Sequence, residues 1–98
     1  MAPVTDRWTT SGSITLRYWA SARAAAGTDS EDLEVSGPVS LADLIGRVKA
    51  SHDAVRFAAV LDSCAVMVGD RPVTTSDPAT VMVEPGATVE FLPPFAGG

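Results

Sequence analysis

The sequence predicts an α+β domain in which a mixed sheet of four or five strands packs on one main helix. Three observations lead there. Apolar residues alternate at both ends of the chain, at Ile14, Leu16 and Tyr18 and again at Val89 and Phe91, which is strand periodicity with one face buried. Between them Leu41, Leu44, Ile45 and Val48 recur at i, i+3, i+4 and i+7, one apolar stripe of a helix. The order from Ile14 onward is strand, strand, helix, strand, short strand, strand, which suits a single sheet wrapped over that helix.

Residues 1–13 are rich in Thr, Ser and Pro and lack periodicity, and predict a flexible leader. They carry Asp6 and Arg7 and no apolar run, so a signal peptide is not expected there. After the first strand, Trp19 is taken to break the alternation, either covering an edge of the core or facing a partner, with core closure favoured. The alanine-rich Ser21–Ala26 predicts one or two helical turns ending at Gly27. Leu33 and Val35 alternate with Glu34 in a second strand after a polar turn at Thr28–Ser30.

The main helix has its own start signal. Ser40 is an N-cap, Asp43 occupies the capping-box position, and Pro38 precedes both, where no helical hydrogen bond is lost. Gly46 either permits close packing on the sheet or is simply tolerated. His52, with no second ligand nearby, is expected in a surface loop rather than at a metal. Val55–Leu61 predicts a helical turn, and Cys64–Val68 a strand with Cys64, Val66 and Val68 inward. Cys64 is expected as a small core residue, since no neighbouring cation in sequence would activate it as a nucleophile. Gly69-Asp70 is a turn, Arg71–Val73 an edge segment, and Thr74–Ala79 a loop. Val81 and Val83 mark a brief strand, and Glu84-Pro85-Gly86 is a type II turn leading into the last strand.

Ninety-eight residues are enough for one modest core. No apolar run is long enough to span a bilayer, and a single cysteine allows no internal disulfide, which fits a reducing cytoplasm. The net charge is −5 and the seven basic residues are scattered, which argues against nucleic acid as a partner. An acidic chain is steered instead toward a basic docking face. One histidine, one cysteine and scattered acids form no hydrolase or transferase constellation, and no phosphate-binding loop is present.

The chemistry therefore gathers at the C-terminus. In Val89–Leu92 the outward positions are Glu90 and Leu92. Pro93 and Pro94 cannot continue a sheet interior and stiffen the base of a tail that ends in Phe95, Ala96, Gly97 and Gly98. Two terminal glycines without Cβ atoms pass through a narrow channel, and the α-carboxylate of Gly98 can be activated as an acyl-adenylate. Leu92, Pro94 and Phe95 would form an apolar rim for a partner.

The run Leu92-Pro93-Pro94-Phe95-Ala96-Gly97-Gly98 after a strand resembles the end of ubiquitin-like sulfur-carrier proteins, most closely the small subunits of molybdopterin synthases. Ala20 and Arg23 also match the pattern that follows the first strand in that family, although Ala24 replaces its usual glutamate. Pro85-Gly86-Ala87 replaces its Asp-Gly-Asp turn, and Met67–Asp70 its asparagine turn. The resemblance implies a β-grasp domain over residues 14–92 and an extended tail over 93–98. It implies that Gly98, with Gly97, is the reacting end, adenylated by an E1-like enzyme that uses ATP and then thiocarboxylated by a persulfide donor. Leu92, Pro93, Pro94, Phe95, Ala96 and Arg23 would contact partners, among them a synthase large subunit in a heterotetramer, where the sulfur builds a dithiolene on a pterin precursor. No directly bound cofactor or metal is implied, and the small protein would be a sulfur-donating subunit rather than a free-standing catalyst. Two alternatives stand beside this: a carrier for thiamine, cysteine or tRNA thiolation or a protein modifier, and a non-covalent β-grasp binding module.

Overall fold

The computed structural model describes residues 12–52, 55–73 and 76–94. Its elements in chain order are β1 (Gly12–Tyr18), α1 (Ala20–Ala26), β2 (Ser30–Val35), β3 (Val39–Ser40), α2 (Leu41–Ser51), α3 (Val55–Asp62), β4 (Ala65–Val68), β5 (Arg71–Pro72), a 3-10 turn (Pro78–Thr80), β6 (Met82–Val83) and β7 (Thr88–Leu92). Five strands form one mixed sheet in the order β2-β1-β7-β4-β5. β1 and β7 run parallel at its centre, with Leu16 opposite Val89 and Tyr18 opposite Phe91, while the other pairs are antiparallel. This is the α+β, β-grasp arrangement the sequence predicts.

The alternation assigned to β1 and β7 is the alternation found. Ile14, Leu16, Val89 and Phe91 are fully buried, and they meet Leu44 and Val48 of α2 and Phe57 of α3 in one core. Complete burial of such a side chain stabilises the fold by about 1.5–3 kcal/mol. Tyr18 joins the aromatic centre, its ring stacked on Phe91 at 5.8 Å and edge-on to Phe57 at 5.6 Å. The β1 strand starts at Gly12, two residues before the expected Ile14, because Gly12 pairs with Val35 and the Ser13 carbonyl accepts from the Gly86 N–H at 2.7 Å. Residues 1–11 of the expected leader lie outside the described residues.

Ser40 caps α2 as expected, its Oγ accepting from the Asp43 N–H at 3.0 Å. Gly46 is of the tolerated kind: it is exposed, and a Cβ there would meet nothing within 4 Å. The turn after β6 has the type II features, with Gly86 at φ 92° and the Ala87 N–H bonded to the Glu84 carbonyl. Three expectations need correction. Residues 55–62 are a two-turn helix, whose Phe57 and Leu61, four apart, are both buried. The brief strand near Val83 pairs with β3, not with the main sheet, and Leu41 N–H extends that ribbon to the Val81 carbonyl, anchoring the start of α2. Cys64 is buried as expected but precedes β4 instead of opening it.

Candidate functional site at the root of the C-terminal tail

The tail leaves the sheet from its middle. β7 is hydrogen-bonded on one side to β1 and on the other to β4, and it ends at Leu92, opposite Ala65. The pleat then sorts its side chains: Val89 and Phe91 enter the core, while Glu90 and Leu92 lie half-buried on the other face. Pro93 is half-buried and Pro94 exposed, both outside any strand. With neither an N–H to give nor freedom in φ, this pair commits the chain to leave the ladder. Phe95, Ala96, Gly97 and Gly98 lie outside the described residues.

Beside this root the structure places a residue whose role the sequence reading misassigned. Trp19 does not close the core; it is 41% exposed. The reason is legible in the strand period: Thr15, Arg17 and Trp19 share one parity, and Ile14, Leu16 and Tyr18 the other. Trp19 thus continues the alternation instead of breaking it. The Arg17 guanidinium lies 5.0 Å over the Trp19 ring, a cation–π contact. Arg17 is also the register partner of Glu90 on β7.

The backbone of Trp19 ties the root to α1. Its N–H donates to the Phe91 carbonyl at 3.2 Å, and its carbonyl accepts from Ala22 and Arg23 in the first turn of α1. Ala20 makes that junction with φ at 50°, a left-handed conformation uncommon for a residue with a Cβ. Such a residue stores on the order of 1 kcal/mol and is retained where its surroundings demand it. Arg23 itself is exposed, with its guanidinium 3.5 Å from Asp29. The structure thus groups Leu92, Pro93 and Pro94 with Trp19 at one end of the sheet, and sets Arg23 one helical turn beyond, paired with a surface acid.

Around the aromatic centre the polar groups are packed and paired. The Tyr18 hydroxyl donates to Glu31 Oε2 at 2.6 Å, and His52 Nε2 lies 2.6 Å from the same oxygen. The His52 ring stacks on Phe57 at 4.2 Å, so His52 is not the free loop residue expected but the C-cap of α2, packed and paired. Burial first, and then the Glu31 carboxylate, push the Tyr18 phenol well above its ordinary value. Burial pushes the Cys64 thiol up to about 11, and its Sγ lies 3.2 Å from the Val60 carbonyl, which fits an inert core residue. Among the described residues no group of three or more His, Cys, Asp or Glu is placed to hold a metal ion, and no helix is long and apolar enough to cross a membrane.

The sequence model of the ThiS family matches residues 16–98, nearly the whole domain and the tail. The chain belongs to the ThiS family. It is a ubiquitin-like member of the sulfur-carrier superfamily, a carrier in kind. Relatives of this ThiS-family chain include the molybdopterin synthase sulfur carrier subunit of Aspergillus niger, 32% identical over 89 residues, covering 91% of this chain and 98% of the relative. Among solved structures it is similar to the Haloferax volcanii HVO 2177 protein, with a TM-score of 0.72 at 25% identity over 91% of this chain and 89% of that one. SAMP1 from the same organism shares the fold with a TM-score of 0.72 at 19% identity, over 89% of this chain and all of that one.

Proposed function

We propose that this protein carries sulfur on its own C-terminus, with the carboxylate of Gly98 as the working group. An E1-like partner adenylates it with ATP, releasing pyrophosphate. A persulfide sulfur then displaces AMP to give an acyl disulfide, and a partner thiol cleaves that S–S bond, itself becoming a disulfide, to leave a glycyl thiocarboxylate. A second partner receives the tail and takes the sulfur. Family membership supports the carrier role. The observation that carries the mechanism is the exit of the chain from the sheet centre through half-buried Pro93 and exposed Pro94, beside exposed Trp19. A stiff base of this kind loses less conformational entropy on insertion than a flexible one. Leu92, Pro93, Pro94 and Phe95, with Ala96, would then contact the receiving partner, while Gly97 and Gly98 thread its active site.

For the acceptor, the family match supports the wider reading, a sulfur carrier for any of several thiolations or a protein modifier, more firmly than one pathway. Within it we place dithiolene formation on a pterin precursor, with this chain as the small subunit beside a larger synthase subunit. The double proline and the 32%-identical Aspergillus relative favour that choice.

Intact-mass measurement tests the carrier role directly. Incubation with ATP, an activating enzyme and a sulfur donor is expected to add the mass difference between one sulfur and one oxygen, and deletion of Gly98 to abolish the change. If no activating enzyme produces that species, the carrier reading fails. A non-covalent binding module would keep its partner affinity without Gly98. Charged protein then separates the acceptors: sulfur transferred to a pterin precursor supports the dithiolene reading, whereas an isopeptide adduct on a lysine supports a modifier.

A further inference from the structure

An activated C-terminal glycine reacts with any amine that reaches it, including one on another copy of the same chain. Of the seven basic residues, six are arginines, whose guanidinium is never deprotonated in a protein and so is no acyl acceptor. Lys49 is the only lysine in the sequence. It lies near the end of α2, and its Nζ sits 2.5 Å from Oδ1 of Asp62, the last residue of α3. The Lys49 side chain is 29% exposed and that of Asp62 67% exposed, so solvent and reagents reach the pair.

We propose that Lys49 is a gated acyl acceptor, the one side chain at which a second, activated copy of this chain can be attached, and that Asp62 holds it closed. The proposal rests on the carrier reading for its donor. In the step concerned the Lys49 nitrogen, as the free amine, bonds to the terminal glycyl carbonyl carbon of the second copy. The bond from that carbon to the AMP oxygen breaks, AMP leaves with the electron pair, and the surplus proton on nitrogen passes to water. No oxidation or reduction occurs. While Nζ rests on Asp62 its hydrogens are directed at a carboxylate, and the nitrogen must leave that partner before it can attack. The carrier is thereby kept from consuming its own charged form, although a single contact decides whether it does.

A small acyl donor tests the gate without any activating enzyme. The full-length protein is treated with N-hydroxysuccinimidyl acetate, and acetylation of Lys49 is followed by peptide mass spectrometry. The amine introduced by R71K on the exposed β5 position serves as an internal reference. In low salt Lys49 is expected to react more slowly than that reference, and Asp62→Asn to speed it roughly two- to fivefold, the span that exposed ion pairs provide. High salt should accelerate the wild type and leave Asp62→Asn unchanged. Equal rates with and without the Asp62 carboxylate would overturn the gate.

The acceptor role is read with full-length protein bearing a C-terminal thioester. Asp62→Asn should accelerate an amide-linked dimer through residue 49, and Lys49→Arg should remove it. Absence of that dimer from the Asp62→Asn protein would overturn the acceptor. Failure of the carrier reading itself is seen elsewhere, as the missing exchange of oxygen for sulfur with ATP and an activating enzyme.

Discussion

The two faces of β7 are made of adjacent residues and answer to different demands. Val89 and Phe91 have no exposed surface and meet the aromatic centre built by Tyr18 and Phe57. Glu90 and Leu92, one position away from each, look out beside Arg17 and Ala65 and lead into the prolines. One face of this strand is held by the core and the other is left free of it, so rigidity at the root of the tail comes from residues other than those the proposed function assigns to recognition.

The largest effect expected from breaking that division is on the inner face. Phe91→Ala should cost about 3–5 kcal/mol, measured by urea unfolding, because it leaves a cavity beside Tyr18, whose ring stacks on it, and Val66, its register partner on β4. Cys64, on the same side, sharpens the contrast chemically. With its pKa at about 11, its thiolate fraction at mild alkaline pH is far below that of an ordinary thiol, so alkylation should slow on the order of 100-fold relative to the urea-unfolded chain. The same shift gives a pH dependence. The folded thiol ionises less readily than the unfolded one, so its contribution is complete below pH 9 and is lost as pH climbs toward 11. Urea midpoints across that range should fall, and a Cys64→Ala variant should fall less.

On the outer face the expected order reverses. Leu92→Glu, at a half-buried position outside the core, should lower the unfolding free energy by only about 1 kcal/mol, well short of Phe91→Ala, yet reduce association with the proposed receiving partner by about tenfold or more. Calorimetric unfolding beside a binding titration separates the two; a loss of stability comparable to that of Phe91→Ala would refute the division. Smallest is Gly46→Ala, on the exposed side of α2. It should stabilise by about 0.5–1 kcal/mol with charging by the activating enzyme unchanged, since nothing occupies the space a methyl would enter.

Much of this was legible in the sequence, for reasons that particular residues show. The Ser40 cap, the stripe on α2, the alternation of β1 and β7 and the turn at Gly86 are local patterns, and local patterns report on their own element. What escaped depends on pieces distant in the chain. Glu31 lies 21 residues before His52, so nothing near the histidine announces its carboxylate partner. The pairing of β6 with β3 instead of the main sheet is likewise a tertiary choice. The sequence predicts α3 as a helical turn over Val55–Leu61, and only its extension to two turns ending at Asp62 escaped, because its buried positions Phe57 and Leu61 are too few to show a helical period by themselves. Trp19 was a different kind of miss: the strand period already placed it outward, and its bulk argued for burial. Of the tail, the root is positioned by β7, while Gly97 and Gly98, the proposed reacting end, lie outside the described residues and are read from composition and order alone.

The central position of β7 has a mechanical consequence. A partner that grips the tail and draws it inward loads a strand bordered on both edges by hydrogen-bonded neighbours. The pull is therefore resisted along the length of two ladders at once, in shear, where a border strand would open one bond at a time like a zipper. The handle can be tugged without unravelling what it is attached to.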